Sequence, residues 1–265
     1  MKVIVITGAS SGIGYEMASF LAKKGHNVYG VSRSKVFNKD VFSAQADVRN
    51  FEQIQNLFES IVEQEGRIDV LINNAGRGIS GSIEDTEIED VTQLMNVNFL
   101  GTFNTIKAVI PYMRDNKGGK IINISSLASK FALPFQSFYS ASKAALNAFS
   151  EALSIEVEPF GIQVCSVLPG DIKTGFSKHR KKNEIDHESY GTRVEKSIGL
   201  MEKDEQNGMD AGEAAKTICK LIKRKRMPLY HTIGLKYKAI MFFSRFLSAR
   251  TINRLVGKIY GFNKG

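Results

Sequence analysis

A chain of 265 residues that is 43% hydrophobic and 24% charged has the length and composition of an α/β domain with a sizeable core, and large-scale disorder is excluded. The net charge of +9 is uneven: from Ala214 to Gly265 there are 13 Lys and Arg and no Asp or Glu, leaving 23 basic residues against 27 acidic ones in the first 213. The opening apolar run is too short for a signal peptide, and no stretch reaches the roughly 18 apolar residues of a membrane span.

These features predict a cytoplasmic protein whose basic tail meets an anionic surface, with peripheral membrane contact one way to do so. Cys165 and Cys219 share no close spacing and no histidine pattern, so buried free thiols are expected rather than a disulfide or a zinc site.

In chain order, strand-like runs fall at 2–6 (KVIVI), 27–31, 41–46, 69–73, 120–124, 162–168 (IQVCSVL) and 227–233. Helical periodicity occupies 14–24, 51–65, 87–113, 140–158 and 210–223. The first run and IQVCSVL are apolar along almost their whole length, as for strands covered on both faces. Strand alternating with helix predicts an α/β, Rossmann-like, doubly wound and mainly parallel sheet with helices on both faces. Only SRSKVFNKD lies between the second and third strands, which predicts a very short crossover helix.

Residues 175–208 turn polar and charged after a strand's carboxyl end, where such sheets bind ligands. They read as a mobile substrate flap or a solvated surface loop. Beyond the 1–233 body, residues 234–265 place large apolar side chains at helical spacing among Lys and Arg, which predicts two short basic amphipathic helices. Three uses fit them: lying on a membrane, covering the cleft, or packing on another subunit. Nucleic acid is not expected, since the basic residues alternate with large aliphatics.

The stretch TGASSGIG (7–14) follows the first strand and opens a helix. Gly8, Gly12 and Gly14 permit a tight turn and close backbone approach, and with Ser10, Ser11 and Ile13 they put a helix amino terminus beside a pyrophosphate. The second strand ends in Ser32 and Arg33 rather than an acidic residue. A guanidinium suits the 2′-phosphate of NADP, so NADP is favoured over NAD.

In YSASK (139–143), Tyr139 and Lys143 are one helical turn apart and share a face. Taken together, TGASSGIG, Asp47-Val48, NNAG (73–76), Asn98 in NVNFLG, the serines at 125 and 126, YSASK and PGDIKT (169–174) resemble the ordered motif set of the short-chain dehydrogenase/reductase family. The resemblance covers 1–233 and implies roles. Tyr139 is the acid that protonates a carbonyl oxygen. Lys143 favours the phenolate and holds the nicotinamide ribose. Ser126, thirteen residues before Tyr139, holds the substrate oxygen. Asn98 keeps a helix open for a proton relay.

By the same resemblance Asn74, Ala75 and Gly76 line the adenosine, Asp47 and Val48 the adenine edge, and Pro169, Gly170, Ile172 and Thr174 the nicotinamide side. No metal is required. A homodimer or homotetramer built on the helices at 87–113 and 140–158 is implied as well. Leu127, Phe131, Leu133, Phe135 and Phe138 lie between Ser126 and Tyr139, where they either form an apolar wall for a lipophilic ketone such as a steroid, keto-lipid or acyl derivative, or pack the core. The expected activity is hydride transfer between NADP and a ketone or secondary alcohol. Its rival is a non-enzymatic NADP-binding protein whose tail contacts a membrane or partner.

Overall fold

The computed structural model describes residues 1–183 and 187–261; residues 184–186 of the expected flap and 262–265 of the tail lie outside the described residues. Strand β1 (Val3–Thr7) leads into α1 (Gly12–Ala22), then β2 (Asn27–Ser32), β3 (Phe42–Gln45), α2 (Phe51–Glu65), β4 (Val70–Asn73) and a short β5 (Ile79–Ser80). Next come α3 (Ile88–Met95), a π-helical turn over Asn96–Leu100, α4 (Gly101–Asp115), β6 (Gly119–Ile124), α5 (Ser137–Glu156) and β7 (Ile162–Leu168). The remainder holds β8 (Ile172–Lys173), β9 (Lys181–Lys182), α6 (Arg193–Gln206), β10 (Met209–Asp210), α7 (Ala211–Cys219), β11 (Tyr230–Thr232), α8 (Leu235–Ser244) and α9 (Ala249–Ile259).

Seven strands form one sheet in the order β11-β7-β6-β4-β1-β2-β3, and each neighbouring pair is parallel. Alternate side chains serve two buried faces, as the two-residue period of a strand requires. Ile4 and Ile6 of β1 pack with Met17, Leu21 and Ile218 on one face, while Val3 and Val5 pack with Phe58, Ile61 and Val109 on the other. Both cysteines are buried free thiols, and burial pushes each up to about 12.

Strand order reverses at β1, which pairs with β2 on one side and β4 on the other. That switch point opens a crevice at the carboxyl ends of the strands.

The structure departs from the sequence reading in three places. No helix forms between β2 and β3; the crossover is irregular chain whose Val36 and Val41 are buried in the core in a helix's stead. The run at 87–113 is interrupted by the π-helical turn, which buries Asn98 completely. Third, the polar segment 175–208 carries α6, whose Val194, Ile198 and Met201 lie on one buried face. Three buried apolar residues among so many charges were too few to register as periodicity, yet spacings of four and three suffice to seat a helix.

Candidate active site

The glycine turn after β1 has backbone geometry that a side chain would spoil. Gly8 has a φ of +66°, and a Cβ there would lie 2.8 Å from the Ala75 Cα. Gly14 is regular helix, but its Cβ would fall 2.3 Å from the Gly8 carbonyl oxygen, so its role is close packing of α1 on the turn. The NNAG loop after β4 is tied to the same turn. The Asn74 side-chain amide donates to the carbonyls of Thr7 (3.2 Å) and Gly8 (3.1 Å), and the Thr7 hydroxyl accepts from the backbone N–H of Asn74 and Ala75.

A cavity of about 1350 Å³ begins at this turn and ends beneath α8 and α9. Gly8, Ser10, Ser11, Gly12 and Ile13 line its near end, with Asn74, Ala75 and Gly76 beside them. Arg33, Asp47 and Val48 form the flank at the ends of β2 and β3, and Pro169, Gly170, Ile172 and Thr174 follow from the end of β7. Of the catalytic and cofactor residues read from the sequence, Gly14 and Asn98 stand behind this wall rather than on it.

Arg49 joins Arg33 at the flank, and no motif had singled it out. Its Nε donates to both Asp47 oxygens at 3.0 Å, which with the field of Arg33 holds the Asp47 carboxyl below its ordinary range. Two guanidinium groups therefore face one occupied carboxylate.

Tyr139, Ser126 and Lys143 meet at the middle of the cavity. Lys143 lies on α5 one turn from Tyr139, with its ammonium 5.9 Å from the phenol ring centre. Its Nζ donates to the Ile124 carbonyl at 2.8 Å, and burial lowers it to about 8, so it remains mostly charged at neutral pH. Ser125 is buried and donates to the Lys143 carbonyl, which leaves Ser126 as the serine beside the phenol.

Burial pushes Tyr139 above its ordinary range; the Ser126 hydroxyl and the positive field of Arg180 pull it down, and Glu205 pushes it up. Arg180 was not singled out in the sequence, where SKHRKK belongs to a segment read as a mobile substrate flap or a solvated surface loop. In the fold its side chain is 1% exposed, paired with Glu205 and set over the Phe176 ring, which itself packs on Tyr139 with ring centres 5.8 Å apart. Ser177 donates to the other Glu205 oxygen.

Behind the wall, the Asn98 Oδ1 accepts from the Arg77 N–H at 2.8 Å, and its Nδ2 donates to the Arg77 carbonyl and the Ser142 hydroxyl, each at 3.0 Å. A Cβ on Gly76 would lie 3.4 Å from Asn98 Oδ1 and 3.7 Å from Lys143 Nζ, so the two side chains converge on one point.

Of the expected apolar wall, Leu127, Phe131 and Leu133 line the cavity; Phe135 and Phe138 do not, and Phe135 instead anchors Val194 and Ile198 of α6. From the tail, Tyr237, Phe243, Leu247, Leu255 and Ile259 line the far end. Tyr237 donates to an Asp171 carboxylate oxygen and covers Gly170, where a Cβ would lie 2.2 Å from its ring.

The arrangement can hold a dinucleotide along the glycine turn and present a proton donor at mid-cavity. Comparison with known proteins places the chain in a family. Residues 2–185 match the family model described as short chain dehydrogenase. The chain is 45% identical over 236 residues to the 3-ketodihydrosphingosine reductase of Bacteroides thetaiotaomicron, covering 88% of each protein. It is 35% identical to a probable short-chain type dehydrogenase/reductase, VdlC, of Helicobacter pylori, covering 89% of this chain and 90% of that one. A crystal structure of a short-chain dehydrogenase from Streptomyces avermitilis superposes with a TM-score of 0.82 at 30% identity, over 97% of this chain and 96% of the other. Motifs, sheet order and relatives thus converge: the chain belongs to the short-chain dehydrogenase/reductase family and is an oxidoreductase of Rossmann-like fold.

Proposed function

We propose that the protein is an NADP-dependent reductase of a lipophilic ketone, a long-chain keto-lipid of the 3-ketodihydrosphingosine kind. The observation that carries this reading is the single cavity with guanidinium groups at one end, Tyr139 and Ser126 in the middle and apolar tail helices at the other. The name of the Bacteroides relative supports the substrate class.

The residues present fit the cofactor. Gly8, Ser10, Ser11, Gly12 and Ile13 would hold its pyrophosphate at the α1 amino terminus, and Asn74, Ala75 and Gly76 its adenosine side. Arg33 and Arg49 would pair with a 2′-phosphate, and Pro169, Gly170, Ile172 and Thr174 would flank the nicotinamide. When bound, the nicotinamide supplies a hydride to the carbonyl carbon.

The chain's own part is the oxygen. Ser126 holds it by a hydrogen bond, and Tyr139 gives it a proton. The resulting phenolate is stabilised by Lys143 and Arg180. Asn98 and Lys143 frame the point from which the proton is replaced.

Exposed Leu100, Phe103 and Ile155 on the paired-helix surface of α4, α5 and the π-helical turn support a homodimer or homotetramer. The uncompensated positive charge of 234–265 favours work on the cytoplasmic side of a membrane.

The test is loss of reduced-nicotinamide absorbance with NADPH or NADH against keto-lipid, steroid and small polar ketones. We expect turnover of the long-chain ketone with NADPH, a fall of about 10²- to 10⁴-fold in Tyr139→Phe, and a collapse of the NADPH preference in Arg33→Ala/Arg49→Ala. Equal use of NADH by the wild type sinks the arginine argument; cofactor binding with no ketone reduced favours a purely binding role.

A further inference from the structure

Helices α8 and α9 have no buried side chain, although they carry most of the large apolar residues of the tail. Phe243 and Ile259 line the cavity and are nevertheless 64% and 61% exposed, so they stand at its mouth rather than deep in its wall. Phe242 and Phe246 are not part of the cavity lining and are 54% and 74% exposed. Their rings form an edge-to-face cluster, with Phe242 5.5 Å from Phe243 and 5.7 Å from Phe246. A helix that is apolar on both sides is normally covered on both sides. Here the cavity takes one side of α8 and nothing described in the chain takes the other.

The charge around this surface says what covers it. Lys236, Lys238, Arg245, Arg250, Arg254 and Lys258 lie on or beside α8 and α9, the segment has no acidic residue, and no ion pair among the described residues uses them. A second copy of the same tail would set cation against cation. An anionic lipid surface meets both demands, accepting aromatic and aliphatic side chains below and cations at its head groups.

We propose that α8 and α9 form a portal docked on an anionic bilayer, through which a membrane-held ketone reaches Tyr139 without crossing water. This rests on the keto-lipid reading above. Apolar side chains line the cavity at both stages of the route: Phe243, Leu247, Leu255 and Ile259 from the tail, and Leu127 and Leu133 from the segment before Tyr139. Docking is coupled to the site through Tyr237, which joins α8 to Asp171 in the loop after β7.

The experiment uses the full chain with phosphatidylcholine vesicles, with or without about one third phosphatidylserine, at physiological salt. Phe242→Ser/Phe246→Ser and Arg250→Glu/Arg254→Glu lie outside the catalytic and cofactor residues. Wild type is expected to cosediment with anionic vesicles only, and each variant to bind them at least about ten-fold more weakly. The variants should show a comparable rise in KM for a long-chain ketone held in those vesicles, and unchanged kcat/KM for a short soluble ketone.

Wild type that ignores anionic vesicles overturns the portal, as do variants that retain vesicle turnover or lose both ketones together. Variants that turn an oligomer into monomers, with no vesicle binding in the wild type, assign the surface to a second copy and overturn it likewise. Vesicle binding by a protein that reduces neither ketone supports docking and overturns the keto-lipid reading instead.

Discussion

Around the glycine turn, backbone meets backbone: the Asn74 amide bridges the Thr7 and Gly8 carbonyls, and Gly14 and Gly8 touch with no room for a methyl group. Over the other end of the cavity, α8 and α9 lie on the body through apolar side chains and the Tyr237 to Asp171 hydrogen bond, with no side chain buried. One end is positioned by groups that cannot move independently of the sheet. The other is held by contacts that an apolar ligand or lipid can replace at little cost. Under the proposed function, the first construction suits a constant cofactor and the second an apolar substrate.

The sharpest way to break this contrast is Gly14→Ala. Helix propensity favours alanine by about 1 kcal/mol, but a methyl group 2.3 Å from the Gly8 oxygen and 2.5 Å from the Asn74 amide has no soft neighbour to displace. Affinity for the reduced nicotinamide dinucleotide is expected to fall by at least about two orders of magnitude by fluorescence titration, together with a lower Tm. Normal binding by this variant would show that the turn is less rigid than its contacts imply.

Next in size is the Arg180 and Glu205 pair, set against the Phe176 ring that packs on Tyr139. The Arg180 side chain is 1% exposed and its Nε and Nη1 already have no partner, whereas the Glu205 side chain is 21% exposed. Glu205→Gln should therefore cost about 3–5 kcal/mol in a urea melt, more than Arg180→Met, because it leaves the deeper charge uncompensated. A structural role alone would not move a titration. Since Arg180 lowers the Tyr139 pKa and Glu205 raises it, the alkaline limb of the rate profile should shift up in Arg180→Met and down in Glu205→Gln.

Lys143 offers a smaller, pH-dependent effect. Its folded value of about 8 lies below the ordinary 10.5, so from pH 8 to 10.5 the folded chain sheds a proton that the unfolded chain keeps. Stability from this group is least below pH 8 and rises through that window. The wild type should gain on Lys143→Met by no more than about 3 kcal/mol between pH 7.5 and 10.5, measured by denaturant midpoints. A gap that is flat with pH would mean the lysine is not desolvated.

The smallest effect belongs to the roof. Tyr237→Phe removes the hydroxyl that meets Asp171 and should change global stability by only about 1 kcal/mol, while limited proteolysis within 234–261 accelerates several-fold. Equal acceleration throughout the body would show that α8 and α9 are integral to the core.

Local spacing determined much of this protein by itself. Alternating apolar runs and helical periods gave the parallel Rossmann-like sheet, because strand and helix periods are properties of neighbouring residues. The four-residue step from Tyr139 to Lys143 placed both on one face of α5 for the same reason. Tertiary structure alone decided what depends on distant pairing. Arg180 and Glu205 are 25 residues apart, and only the fold of 175–208 makes that surface-like arginine a buried charge beside Tyr139. Arg49 joined Arg33 through the parallel pairing of β2 with β3. The tail had three uses open to it in the sequence; only the tertiary structure puts Tyr237, Phe243, Leu255 and Ile259 on the cavity lining, since helical spacing says which residues share a face but not what that face meets.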